Sequence, residues 1–172
     1  EFRVKTKIGK IKMIKAVASC FYDSEGKVER LVGNNWDITT LRETQKKLRD
    51  ARFEIEKFFS ISLEPLCVAT IKGYFKRVNK AFITILGYSE EELTSQPFMN
   101  FVHPEDIAST LREIENLSKG VPTPCFENRY RTKSGSYRHF NWVVVPDVEH
   151  ELLFAVVRDV TDQIRNQHKA LQ

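Results

Sequence analysis

Polar and apolar positions alternate in steps of two along the last third of the chain. Glu127, Arg129, Arg131 and Lys133 form one face, Phe126, Asn128, Tyr130 and Thr132 the other, as in a strand with one wet side. Lys133-Ser134-Gly135-Ser136 reads as a turn. Residues 137–145 return as a second strand with Phe140, Trp142 and Val144 on one face. Pro146-Asp147 is expected to end it, because proline cannot donate to a ladder, and residues 152–157 give a third strand. Upstream, residues 66–71 and 74–78 flank Lys72-Gly73 as a hairpin, and then the period changes. Asn79 caps a helix with Ala81, Phe82, Ile85 and Leu86 on one side, which Gly87 stops. Ser89 with Glu92 forms a capping box for a short helix. Pro104, Glu105 and Asp106 open a longer helix whose stripe is Ile107, Leu111, Ile114 and Leu117, ending at Gly120. Two strands, several helices, three strands and an exit helix predict an α+β fold, with helices on one face of an antiparallel sheet.

The chain also repeats itself. Glu1-Phe2-Arg3-Val4-Lys5-Thr6-Lys7-Ile8-Gly9 matches Glu127-Asn128-Arg129-Tyr130-Arg131-Thr132-Lys133-Ser134-Gly135, with Glu, Arg, Thr, Lys and Gly identical. Asp37-Ile38-Thr39 matches Asp159-Val160-Thr161, at an offset four residues smaller, so the second copy has lost four residues, most simply at a hairpin tip. Residues 1–39 therefore read as a meander of their own. An isolated meander is marginal, and its apolar residues Phe2, Val4, Ile14 and Ala16 are expected to need cover from a second chain or a neighbouring domain.

Between the copies, residues 40–58 predict a helix started by a Thr40–Glu43 capping box. Leu41, Thr44, Leu48, Ala51, Ile55 and Phe58 recur at steps of three and four, a heptad seam of about two and a half repeats. A parallel coiled coil between two chains, hence a homodimer through this helix, is the expected use. An amphipathic helix lying on its own domain is the alternative.

Composition narrows the function classes. At 172 residues and 41% hydrophobic the chain can bury a core, and no run approaches the 18 apolar residues needed to cross a bilayer. Cys20, Cys67 and Cys125 are far apart and odd in number, so neither a disulfide framework nor a zinc site is expected, and a reducing cytoplasmic setting fits. Residues 1–58 hold 14 Lys/Arg against 9 Asp/Glu, but Lys5, Lys7, Lys10, Lys12 and Lys15 alternate with apolar residues as a solvent face does. Without a base-reading motif this charge does not indicate nucleic acid. There is no phosphate-binding glycine loop and no nucleophile beside a base, so no enzyme is expected in this chain. Because the chain starts without Met, it reads as a piece of a longer polypeptide.

Val78-Asn79-Lys80-Ala81-Phe82, Leu86-Gly87-Tyr88-Ser89-Glu90-Glu91-Glu92-Leu93, Phe101-Val102-His103-Pro104-Glu105-Asp106, the Ser134-Gly135 turn and Arg158-Asp159-Val160-Thr161 together resemble a PAS domain, the PAS/PAC sensor module of bacterial signalling proteins. The resemblance implies a complete domain over 59–162, the C-terminal strands of a preceding copy over 1–39, a signalling helix over 40–58 and the start of an exit helix over 163–172. It implies a structural capping role for His103. It also implies a pocket between sheet and helices, with Phe98, Leu111, Asn128, Tyr130, Phe140, Trp142 and Val157 as the ligand-binding candidates. Haem is not expected, since residues 106–118 hold no His. Flavin is not expected either, since Tyr130, Phe140 and Val157 occupy the slots where flavin-binding relatives carry Asn, Asn and Gln. An unidentified small molecule is left as the candidate occupant.

The function implied is a non-catalytic sensory or signal-transmission segment, feeding the output domain of a parent such as a sensor histidine kinase or a cyclic-di-nucleotide enzyme. Asp37 with Thr39, and Asp159 with Thr161, are the expected signal-coupling residues at strand-to-helix junctions. The alternative is a dimerisation and spacer module with no ligand.

Overall fold

A computed structural model describes residues 1–170, and the chain divides into two compact units, Glu1–Glu56 and the residues from Lys57 onward. In the first, β1 (Phe2–Lys5), β2 (Ile11–Tyr22) and β3 (Val28–Asp37) form an antiparallel sheet in the order β1-β2-β3, followed by helix α1 (Thr39–Ile61), which runs across the division. The sequence places the helix start at Thr40 with Glu43. Instead, Asp37 Oδ1 accepts from the Thr39 amide (3.1 Å) and hydroxyl (2.6 Å), so the cap comes from the strand end, where the carboxylate is already held by Lys12 (2.7 Å). No residue of 1–56 is fully buried, and Trp36 remains half-exposed.

The second unit has a five-stranded antiparallel sheet, order β5-β4-β8-β7-β6, built from β4 (Leu66–Thr70), β5 (Phe75–Val78), β6 (Thr123–Arg131), β7 (Tyr137–Asp147) and β8 (Leu152–Asp159). Helices α2 (Lys80–Leu86), α3 (Glu90–Thr94) and α4 (Ile107–Ser118) lie between β5 and β6 in the chain, with 3₁₀ turns at Phe98–Phe101 and Pro104–Asp106, and α5 (Thr161–Ala170) leaves at the end. The expected caps are present. Asn79 Oδ1 accepts from the Phe82 amide, Ser89 and Glu92 bond reciprocally, and His103 Nδ1 accepts from the Glu105 amide at 3.2 Å. Gly87 closes α2 at φ 79°, a left-handed conformation that a side chain would strain. Pro146 does not end β7. Its Cα pairs with Leu153, beyond the last β6 partner at Val144, so β7 there has a neighbour on one side only and can tolerate a missing donor.

Alternation puts Cys67 and Ala69 of β4, Tyr130 of β6, Phe140, Trp142 and Val144 of β7, and Leu153, Ala155 and Val157 of β8 on the inner face. Against them pack Phe75, Phe82, Leu86, Leu93, Phe98 and Phe101, with Phe82 edge-on to Phe75 and Phe140 at centroid distances of 5.2 and 6.1 Å. Burying each such ring stabilises the fold by about 1.5–3 kcal/mol.

The repeat is structural as well. Phe2 pairs with Ile14 as Asn128 does with Phe140, Ile14 with Asp37 as Phe140 with Asp159, and Ala18 with Gly33 as Val144 with Ala155. Cys20 meets Leu31 where Pro146 meets Leu153, so the four missing residues come out of the β7–β8 turn.

Candidate functional site

Two places carry the sequence-derived candidates: a cavity in the second unit, and the junctions where each sheet passes into a helix.

A cavity of about 60 Å³ lies between sheet and α4, walled by Cys67, Ala69, Phe98, Ile114, Leu117 and Ala155 among others. Of the predicted residues, Phe98, Asn128, Tyr130 and Trp142 are on its wall. Phe140 and Val157 are not; both are 0% exposed and spend their surface on the packed core behind it. Leu111 is 53% exposed, because the inward stripe of α4 runs through Thr110, Ile114 and Leu117 and turns Leu111 outward. What sequence reasoning missed are the small residues. Cys67, Ala69 and Ala155 leave the space that bulkier neighbours would fill.

Most polar groups here satisfy one another. Trp142 Nε1 donates to Asn128 Oδ1 (2.7 Å), Asn128 Nδ2 donates to Thr110 Oγ1 (3.1 Å), and the Thr110 hydroxyl donates to the Asp106 carbonyl (2.7 Å). At one side the Thr123 hydroxyl donates to Glu113. Tyr130 is 2% exposed, and its hydroxyl makes no hydrogen bond among the described residues. Burial raises the Tyr130 phenol well above its usual range and does the same to the Cys67 thiol, so both stay neutral. Tyr130→Phe is therefore expected to shift stability by less than about 0.5 kcal/mol. Trp142→Phe, which strands Asn128 Oδ1, should cost about 1–2 kcal/mol by the same reasoning. Urea titration of the two variants checks this, and equal losses would contradict the hydrogen-bond assignment.

At the junctions the same arrangement occurs twice. Asp159 Oδ1 accepts from the Thr161 amide (2.9 Å) and its hydroxyl, and Thr161 Oγ1 accepts from the His139 amide (2.8 Å). Thr39 Oγ1 likewise accepts from the Met13 amide (2.9 Å). Arg138 reaches Asp159 at 3.3 Å, as Lys12 reaches Asp37, and the Lys12 bond together with Thr39 pulls the Asp37 carboxyl far below its usual range. The amides of Val160 and Ile38 complete the match, donating to the carbonyls of His139 (2.9 Å) and Met13 (2.8 Å).

With that fold in view, residues 75–155 match the family model described as PAS fold. The chain carries a PAS domain. The PAS domain of an HTR-like protein from Haloarcula marismortui is 23% identical, with a TM-score of 0.60 over 69% of this chain and 98% of that one. A domain of a sensory box sensor histidine kinase/response regulator from Geobacter sulfurreducens is 16% identical, TM-score 0.53, over 65% and 96%. In sequence, the probable diguanylate cyclase DgcE of Escherichia coli (strain K12) is 28% identical over 95 residues, which span 55% of this chain and 9% of that protein. No helix among the described residues is long and apolar enough to cross a membrane.

Proposed function

We propose that the chain is a non-catalytic sensory and signal-transmission segment of a larger cytoplasmic signalling protein, such as a histidine kinase or a diguanylate cyclase. The observation that carries this reading is the duplicated junction: each sheet hands over to its helix through one Asp-x-Thr unit clamped to the neighbouring strand, β2 in the first unit and β7 in the second. Such a unit fixes the first turn of the helix to the sheet, so a displacement of the strands moves the helix with them. The likeness to a domain of a sensory box sensor histidine kinase/response regulator and to a probable diguanylate cyclase supports the setting. Helix α1, exposed along Leu48, Ile55 and Phe58, would pair with a second copy.

The cavity would be the input. Where about 10–15 Å³ already admits one water, a space of about 60 Å³ takes only a few heavy atoms. A larger ligand has to push Phe98, Leu117 or the sheet outward, and that displacement is the signal. Its contacts would be mostly apolar, with the Tyr130 hydroxyl, which has no hydrogen-bond partner among the described residues, as a polar group able to orient it. The small volume and the mutually satisfied polar groups favour a second reading, a dimeric spacer that binds nothing.

Native and denaturing mass spectra separate the two, since extra mass lost on denaturation supports a sensor and a bare dimer supports the spacer. Coupling is tested by Asp159→Ala. Removing the acceptor of the Thr161 amide and hydroxyl should speed exchange of the first α5 amides by about tenfold while the sheet amides stay protected. In the intact signalling protein the same variant should disconnect output from stimulus, and normal regulation would refute the coupling role.

A further inference from the structure

We infer that the first unit is the C-terminal half of another PAS domain, and that its sheet takes a polypeptide segment built like residues 66–118, with a carboxylate in the first turn of two of its helices. The second unit supplies the template. There Arg129 holds the start of α4, with Nε on Asp106 Oδ2 (2.9 Å), Nη2 on Asp106 Oδ1 (2.7 Å) and Glu105 (2.8 Å). Lys133 holds the start of α3 through Glu92 (2.6 Å). The residues at the same register of the first unit are Arg3, opposite Met13 as Arg129 is opposite His139, and Lys7. Arg3 and Lys7 have no acidic partner among the described residues. Two cations of the first copy thus match, in kind and position, two that grip helix starts in the second.

Shape and edge agree with charge. Val4 and Leu31 are 39% and 63% exposed, whereas their counterparts Tyr130 and Leu153 are 2% and 4% exposed under the helices. Strand β8 is bonded on its far side by β4, Leu66 facing Val156 and Thr70 facing Leu152. Its counterpart β3 is an edge, with β2 as its only sheet neighbour among the described residues. By the shared register, the added strand would run antiparallel opposite Arg30–Asn34. A long edge with apolar side chains is a template for pairing.

The occupant we assign is the stretch of the same polypeptide ahead of Glu1. In the second unit the covering elements come directly before β6, with only residues 119–122 between α4 and that strand. A second copy of this chain offers a segment of this kind only by opening its own PAS core, where Phe82, Leu86 and Phe101 are at most 1% exposed.

Hydrogen exchange on two purified proteins tests the assignment: this chain, and the chain lengthened by a stretch as long as residues 60–126 that its gene encodes ahead of Glu1. In the longer protein, those amides of Arg30–Asn34 that do not bond β2 should exchange slower by on the order of a hundredfold or more. Arg3→Ala should lower the melting temperature of the longer protein and leave that of the shorter unchanged. Unaltered exchange in the longer protein overturns the proposal. So does protection that vanishes on dilution in either protein, which would make the occupant a second copy.

Discussion

Replacing Asn79 by alanine is expected to destabilise the PAS domain by about 3 kcal/mol or more, although the residue touches no ligand. Its side chain is 2% exposed and ties three segments together. Oδ1 accepts from the Phe82 amide at the start of α2 (3.0 Å) and from the Leu66 amide of β4 (2.9 Å), while Nδ2 donates to the Glu64 carbonyl (3.0 Å). Alanine removes a helix cap, worth about 1 kcal/mol, and leaves two further backbone groups in a poorly hydrated place at about 1–3 kcal/mol each. Asn79→Asp keeps both acceptor bonds and loses only the donor, so it should fall between wild type and alanine. Urea midpoints with an unchanged slope measure the series, and a loss below about 1 kcal/mol for alanine would show that water replaces these bonds.

Arg129→Ala is expected to cost about 2–3 kcal/mol at neutral pH, because two charge-assisted hydrogen bonds to the Asp106 carboxylate are lost together. The Asp106 side chain is 18% exposed and the Arg129 side chain 27%, so the pair is shielded enough to exceed an ordinary surface salt bridge. Arg129 holds the Asp106 carboxyl below its usual range. A carboxylate whose folded value is lowered adds stability above its unfolded value, near 3.9, and loses it as pH falls through the folded one. The stability gap between wild type and Arg129→Ala should therefore be level above about pH 5 and shrink below about pH 4. A gap that stays level into acid would mean that Arg129 acts by packing alone.

Much of this was legible in the chain. Asn79, Gly87, the Ser89–Glu92 box and the alternation through Tyr130, Phe140 and Trp142 are local signals, each set by a few neighbouring residues, and local signals survive folding. The junctions were legible because Asp37-Ile38-Thr39 and Asp159-Val160-Thr161 recur as a pair. What depended on tertiary phase was lost. Leu111 looks like part of an apolar stripe until the direction of the sheet decides which side of α4 is covered. The capping box at Thr40 was a valid local pattern that lost to a carboxylate already fixed at the end of β3. The cavity was misjudged for a related reason: large side chains are what a sequence advertises, yet Phe140 and Val157 fill space, while Cys67, Ala69 and Ala155 leave it open. Nor does spacing in the chain join Arg129 to Asp106, more than twenty residues apart. Their pairing needs β6 laid beside the start of α4.

The chain's tryptophans, one in each unit, make it its own two-channel reporter. Trp142, 6% exposed and bonded through its indole N–H to Asn128, should emit at the blue end and resist iodide, while Trp36, 47% exposed on β3, should emit further to the red and be quenched. Whatever comes to rest on the first sheet dims one colour's access to solvent, and whatever enters the second unit's cavity perturbs the other, so the two events can be followed separately without a label.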